Sequence, residues 1–427
     1  MVMIMSDAVI TPRLLRGTVA PPPSKSALHR AIICSALAHG ESVVAPYTPS
    51  EDIDATIGAA RSLGACIRPE GSRLLIDGGE MFSVKNAVVD CRESGSTLRF
   101  FIPVAAAGGV CAAFTGRGRL PERPLTPYLA LLPRHGVGCG AGEGLPLQIS
   151  GRLRAGRYEL AGNISSQFVT GLLLALPLLE GESEIVLTTP PESSGYIALT
   201  LDIERQYGIT LEETNCGYRV SGGQTYRSRS YTAEGDWSQA AFWLAAGAIG
   251  AQMSCPGLKA DSTQGDRAIA GLLARLGAMV SSEGGAVVAR AADLHGIEID
   301  AAQIPDLVPA LAAVAVFARG TTRIFNAARL RLKESDRLHA LVAGFGAIGA
   351  HIREEPDGLE IEGVEALRGG EAEGFGDHRI VMALAVAAQR STAPVKITGC
   401  DCIKKSYPAF FADYNRSGGN VHVINVG

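Results

Sequence analysis

The chain has 427 residues, with 39 Lys and Arg against 43 Asp and Glu for a formal charge of −4. That balance excludes a basic surface built to grip nucleic acid, and equally a polybasic membrane-surface protein. Hydrophobic residues make up 47% and charged residues 19%, the material of packed cores rather than of a disordered chain.

Residues 1–16 contain Asp7 and no continuous apolar core, so no signal peptide is expected. PPPSKSALHR (21–30) opens the first helix: the prolines end a strand, Ser24 or Ser26 can cap, and Lys25, Ser26 and Arg30 project near the helix N-terminus. Free N–H groups and the helix dipole suit a phosphate or carboxylate there, although an ordinary Ser cap with two solvated charges also fits. ESGSTLRFFIPVAAA (93–107) repeats the arrangement, with Ser94, Gly95, Ser96 and Thr97 letting a ligand approach backbone amides and Arg99 one turn inside. GRLPERP (118–124) supplies Arg123 on a loop.

NISSQFVTGLLLALPLL (163–179) sets Ser165, Ser166 and Gln167 at the mouth of a wholly apolar helix, suiting phosphate or hydroxyl recognition or a plain N-cap. ESSGYIALTL offers Ser193 and Tyr196, and EGDWSQAAFWLAA is polar again at a helix start. IPDLVPALAAVAVF puts Asp306 where it reads locally as an N-cap. LRLKESDRLHAL packs Lys333, Glu334, Asp336 and Arg337 into five positions, with Lys333 and Arg337 expected on one helical face. GDHRIVMALAVAA starts a helix behind Asp377, His378 and Arg379, and IKKSYPAFF brings Lys404 and Lys405 to the last unit. In every unit the polar cluster sits at a helix beginning, so the units are expected to converge these groups on one cleft.

Six segments share one form, an apolar helix stopped by Gly and followed by a strand, a turn and a strand. Their glycines are 64, 136, 208, 277, 349 and 419, separated by 72, 72, 69, 72 and 70 residues. A second series of helix ends, Gly40, Gly109, Gly181, Gly250, Gly320 and Ser391, interleaves at 69, 72, 69, 70 and 71. Each unit of about 70 residues thus holds two helices, a strand after the first and a hairpin after the second, too long for an ordinary solenoid repeat. Six copies suggest two pseudo-threefold domains of three. The period leaves open where the boundary lies and whether the chain crosses once or twice.

The nine cysteines show no C-x-x-C pair and read as reduced thiols of a cytoplasmic protein. The apolar stretches are too short to span a bilayer, and the eight His show no metal-binding spacing.

The ordered set PSKSALHR, SGSTLR, ERP, SSQF, GDWSQAAF, IPDLVPALA, LKESDR, GDHR and KKSYP resembles the 5-enolpyruvylshikimate-3-phosphate synthase family of enolpyruvyl transferases over nearly the whole chain. The resemblance implies an α/β (α+β) fold of two pseudo-threefold domains, each of three βαβαββ repeats, in an inside-out α/β barrel. It implies an N-terminal domain over residues 15–232, mainly binding shikimate 3-phosphate. A second domain, from 1–14 plus 233–427, would complete the phosphoenolpyruvate site, with the chain crossing twice. The shikimate 3-phosphate site would use Lys25, Ser26, Arg30, Ser165, Ser166, Gln167, Ser193, Tyr196, Asp306 and Lys333. Phosphoenolpyruvate would be held by Lys25, Gly95, Arg123, Gln167, Arg337, Arg379 and Lys405.

The implied reaction adds the shikimate 5-hydroxyl to C2 of phosphoenolpyruvate and then eliminates phosphate. Asp306 would be the base, with Glu334 and Lys25 moving protons at the methylene carbon and leaving phosphate. No metal or cofactor is implied, the partners are the two small-molecule substrates, and the family suggests a monomer. Four of only seven Lys in the chain, Lys25, Lys333, Lys404 and Lys405, fall in these motifs.

The sequence departs from relatives at Glu93, where Asn is common, at Arg329, and at Trp237 and Gln239, where smaller residues stand. The sister branch acting on UDP-N-acetylglucosamine has Asn after S-K, where this chain has Ser26, and a loop Cys absent from GRGRLPER. A more distant RNA 3′-phosphate cyclase-like enzyme would need a nucleotide surface and a His near the C-terminus, for which His422 qualifies by position alone.

Overall fold

A computed structural model describes residues 5–140, 142 and 144–426. Residues 1–4, Ala141, Glu143 and Gly427 lie outside it. The chain divides into two compact lobes, Pro23–Ala233 and Met1–Pro22 with Glu234–Gly427. Each has a separate apolar core.

In the first lobe the helices are α1 (Lys25–Leu37), α2 (Glu51–Ser62), α3 (Gly95–Gly108), α4 (Thr126–Leu131), α5 (Ser166–Ala175) and α6 (Ser194–Gln206). In the second they are α7 (Trp237–Ile249), α8 (Ile269–Arg275), α9 (Val308–Ala315), α10 (Arg337–Ala347), α11 (His378–Ala388) and α12 (Phe410–Arg416). Helices α7, α9 and α11 are buried along their whole lengths and pack on one another. That burial explains why these runs carry apolar residues on every face rather than a stripe.

Among the described residues the strands form six four-stranded sheets with one spatial arrangement. In the second repeat, Asn86–Asp90 runs parallel to Cys111–Thr115 across α3, with Val88 opposite Ala113. The hairpin Val137–Cys139 and Leu147–Gly151 then adds its last strand antiparallel to Cys111–Thr115. The expected period therefore corresponds to one βαβαββ unit repeated six times.

Strand exchange closes each lobe. Ser230–Thr232 pairs in parallel with Glu41–Ala45, so the first repeat takes its first strand from the end of the third. The N-terminal segment serves two repeats of the other lobe. Met5–Ile10 lies antiparallel between Val395–Thr398 and Val421–Val426, completing the sixth repeat. Arg16–Thr18 runs parallel to Gln252–Pro256, opening the fourth. That second pairing holds residues 16–22 in the lobe of Glu234–Gly427, so the first crossing, expected near residue 15, falls at Pro22–Pro23.

Five of the six helix-stopping glycines, from Gly64 to Gly349, take φ between +85° and +114°, a left-handed conformation costly for any residue with a Cβ. In the sixth unit the left-handed residue is Gly418 (φ +85°), one position before the expected Gly419.

Candidate active site

Both lobes collect their polar side chains at the starts of buried helices, and local capping explains the placement. Ser24, Ser94 and Ser165 accept backbone N–H groups at the starts of α1, α3 and α5, and Asp236 and Asp377 do so for α7 and α11. A short polar side chain satisfies one N–H left orphaned by the helix, and the following residues are then aimed from its first turn.

In the lobe Pro23–Ala233, Lys25 is the first residue of α1 and its Nζ pairs with Asp52 of α2. Arg30, one turn on and 3% exposed, donates Nε to Thr200 Oγ1 at 2.7 Å and Nη1 to the Ser26 carbonyl at 2.7 Å. Its Nη2 reaches Thr170 Oγ1 at 3.3 Å and the Tyr196 carbonyl at 2.9 Å, and the Phe100 ring lies beside it. All four acceptors are neutral. Burial pushes the guanidinium down to about 10. Burial, with Lys25 and Arg30 adding to it, likewise pushes His29 well below its usual value, so its imidazole is neutral as it meets Thr56 at 2.6 Å.

Gln167 joins two helix starts: its Oε1 accepts from Arg99 Nη1 at 2.9 Å and its Nε2 donates to Ser96 at 3.0 Å. Ser165 caps α5, and Ser166, its first residue, is buried. Ser193, ahead of α6, is a buried non-glycine residue at φ +55° that makes no side-chain cap. Such a strained backbone persists only where its surroundings hold it, and it marks this corner as a constrained site.

Gly95 and Arg123 form the most specific feature of this lobe. A Cβ at Gly95 would stand 2.6 Å from Arg123 Nη1 and 2.8 Å from Arg99 Nη1. Two guanidinium groups thus close on a position that has no side chain. Arg123 is half-buried, and its Nε has no hydrogen-bond partner among the described residues. Glu93 turns its carboxylate toward Gly118 in the neighbouring loop.

In the other lobe three cations converge on Asp306. Its Oδ1 lies 3.3 Å from Lys333 Nζ and 2.8 Å from Arg337 Nη1, and its Oδ2 lies 3.4 Å from Arg379 Nη2. Asp306 makes no cap: it sits in the 3-10 turn Pro305–Leu307, and its carboxylate is committed to cations rather than to the N–H groups of α9. Lys333 does not share a helical face with Arg337. It is extended, ahead of the Asp336 cap that starts α10, and the two meet because both reach the same Asp306 oxygen.

Arg337, 1% exposed, spends its donors on three carboxylates: Nε on Asp377 and Nη2 on Glu334, each at 2.8 Å, besides Nη1 on Asp306. Burial alone would push this guanidinium down, but Asp377, Glu334 and Asp306 outweigh it and hold it above its ordinary value. Asp377 is held below its usual range, burial being outweighed by Arg337. Burial pushes Lys333 down to about 8, with Asp306 opposing. Arg379 also donates to the Asp306 carbonyl at 3.0 Å, and Lys405 donates to the Gly376 carbonyl at 2.9 Å, while Lys404 is exposed.

Several members of these clusters were not marked by sequence reasoning. Asp52, Thr170 and Thr200 lie in ordinary helical runs, where nothing local announces a partner. Asp266, in the 3-10 turn Gly265–Ala268, accepts from Ser238, and burial and Asp306 push it up to about 6. The recurrence of a polar cluster at the fourth unit's start was the signal that could have led to it. Arg329 donates to the Ala302 carbonyl, and the Gln239 amide is buried with no hydrogen-bond partner among the described residues. Among those residues no group of three or more His, Cys, Asp or Glu is placed to hold a metal ion, and no helix is long and apolar enough to cross a membrane.

A family model described as EPSP synthase (3-phosphoshikimate 1-carboxyvinyltransferase) matches residues 9–414. A 3-phosphoshikimate 1-carboxyvinyltransferase of Clostridium kluyveri is 45% identical, covering 99% of this chain and all of the relative. Its counterpart in Clostridium acetobutylicum is 44% identical with the same coverage. Among solved structures, EPSP synthase from Acinetobacter baumannii superposes with a TM-score of 0.82 at 27% identity, over 98% of this chain and all of that one. The enolpyruvyl transferase NikO of Streptomyces tendae reaches 0.83 at 16% identity, over 99% of this chain, a likeness of fold alone.

Proposed function

Because the chain belongs to the EPSP synthase family, we propose that its helix-start clusters bind shikimate 3-phosphate and phosphoenolpyruvate. The protein transfers the enolpyruvyl group of phosphoenolpyruvate to shikimate 3-phosphate and releases phosphate, a step of the shikimate pathway to aromatic amino acids. The division of labour is the one the family resemblance implies, and the surroundings of each cation support it. Arg30, Ser165, Ser166, Ser193, Tyr196 and Gln167 bind the shikimate 3-phosphate anion and its hydroxyls. Lys25, Gly95 and Arg123 receive phosphoenolpyruvate, whose planar carboxylate and phosphate suit a guanidinium fork. Arg337, Arg379 and Lys405 also bind it, a role in which the substrate anion competes with the carboxylates that hold Arg337 in this structure.

Asp306 is the base. It takes the proton of the 5-hydroxyl as that oxygen adds to C2 of phosphoenolpyruvate, and a proton from Glu334 or Lys25 goes to C3. Loss of a C3 proton then expels phosphate and restores the double bond, so one bond to oxygen replaces another with no change of oxidation state. The cations around Asp306 place it and complement the charge that moves through the site, leaving positioning and electrostatics to supply most of the acceleration. All nine cysteines are free thiols, which supports a reducing, cytoplasmic setting.

One observation carries this reading: a carboxylate with Lys333, Arg337 and Arg379 all within 3.4 Å of it. A phosphate-release assay with both substrates tests it. Wild type releases phosphate only when both are present, and Asp306→Asn retains substrate binding while losing roughly 10²- to 10⁴-fold in kcat. Wild-type turnover in that variant removes Asp306 from the chemistry.

A further inference from the structure

Arg30 has an uncommon environment for a buried guanidinium, with four neutral acceptors and no carboxylate within ion-pair distance among the described residues. The buried acid nearest in chemistry is Glu204 of α6, fully buried in the same lobe and likewise without an ion-pair partner. Its Oε1 lies 2.9 Å from the Tyr226 hydroxyl, and that hydroxyl also lies 2.9 Å from the Leu174 carbonyl. Tyr226 has one proton to give, its ionisation being suppressed by burial. The Leu174 carbonyl can only accept, so it takes that proton. The second contact of full length then needs a proton from Glu204, which a carboxylate lacks and a carboxylic acid supplies. The other oxygen, Oε2, is buried with no hydrogen-bond partner among the described residues, a situation tolerable for the carbonyl of an acid and costly for a carboxylate.

We infer that Glu204 is a positioning residue held as a neutral carboxylic acid, donating through Tyr226 to Leu174, so that the Arg30 charge stays uncompensated for an anionic group of the substrate. The inference rests on Arg30 lying in the shikimate 3-phosphate site. The titratable and charged groups around Glu204 are Arg30 and Cys34 of α1, Arg205 of α6 and Tyr226, and α5 contributes only the Leu174 carbonyl. Burial opposes ionisation, more strongly than Tyr226, Arg30 and Arg205 favour it, and the carboxyl is pushed up to about 8. Arg30 is therefore uncompensated at neutral pH. Above pH 8 Glu204 becomes a carboxylate that interacts electrostatically with Arg30 and competes with the substrate for its charge.

Two measurements on the full chain test this. In the first, glutamate 13Cδ resonances are followed by NMR from about pH 6 to about pH 10 in wild type and Glu204→Gln. A resonance with a midpoint near 8, missing from the variant, is expected; a Glu204 resonance already that of a carboxylate at pH 7 overturns the proposal. In the second, the dissociation constant for shikimate 3-phosphate is measured by calorimetry over the same range. Wild type weakens by roughly fivefold or more beyond whatever slope Glu204→Gln retains, since the amide keeps the neutral hydrogen bond and cannot ionise. Identical slopes in the two proteins overturn the coupling to Arg30. A folded wild type that binds no shikimate 3-phosphate at any pH overturns the site assignment and with it that coupling, while the NMR titration still decides the protonation of Glu204.

Discussion

Arg30 and Arg337 are guanidinium groups buried to nearly the same degree, one in each lobe, and they are treated in opposite ways. Arg30 is met by two threonine hydroxyls and two carbonyls, and burial lowers its hold on the proton. Arg337 is met by Asp306, Glu334 and Asp377, and they raise it despite the burial. A buried charge satisfied only by neutral dipoles keeps an outward field and is suited to receiving an anion. One enclosed by carboxylates has spent its field on fixing them, which suits a site that must hold acids and bases in place. On the proposed assignment Arg30 serves only to receive a substrate anion, whereas Arg337 also fixes the carboxylates proposed to move protons.

The sharpest break of this comparison is to remove each guanidinium. Arg337→Met leaves Asp377, 0% exposed, without its principal counter-charge, and should cost about 3–5 kcal/mol in urea unfolding. Arg30→Met leaves only neutral hydroxyls and carbonyls unsatisfied and should cost about 1–3 kcal/mol, while shikimate 3-phosphate binding is lost. Equal stability losses would show that the carboxylates around Arg337 do not depend on it as the geometry says.

A smaller effect comes from Gly95→Ala. The added methyl would stand 2.6 Å from Arg123 Nη1 and must displace that guanidinium. The KM for phosphoenolpyruvate should rise about tenfold, roughly 1.4 kcal/mol of binding, with the KM for shikimate 3-phosphate little changed. Parallel rises in both would assign Gly95 to a general packing role.

The local part of this architecture was legible in the sequence because its causes are local. Ser24, Ser94 and Ser165 cap the helices they precede, and the Gly spacing reported six copies because in five of them the second helix is followed by a left-handed turn at the marked glycine. The local readings of Asp306 as a cap and of Lys333 as helical failed for a reason of the same kind: a carboxylate before an apolar run looks like a cap, and a Lys four residues before an Arg looks helical. What displaced both readings is nonlocal. Asp306 meets Lys333 across 27 residues and the Arg379 side chain across 73, distances over which no pattern rule operates. Asp52, Thr170, Thr200 and Glu204 were hidden likewise, being ordinary helical residues until the fold supplies their partners. The strand exchange by residues 5–18 was expected for the second lobe only through family resemblance, since a repeat period cannot reveal which copy borrows a strand.

The smallest effect separates the two lobes by pH. Lys333 ordinarily titrates at 10.5, and burial brings it to about 8 although Asp306 favours its charged form. It is therefore mostly charged at pH 7 and mostly neutral at pH 9. Above pH 8 the site loses a cation that attracts substrate, and Asp306 loses one of its three counter-charges. The first change raises the KM for shikimate 3-phosphate by a few-fold, and the second makes Asp306 a better proton acceptor, so kcat should hold level or rise while KM worsens. Lys333→Arg keeps its charge throughout this range and should flatten the Lys-dependent part of the KM profile, leaving only the slope contributed by the Pro23–Ala233 lobe. If kcat and KM deteriorate together above pH 8 in wild type, Lys333 does not act through Asp306, and the two lobes differ in composition without differing in task.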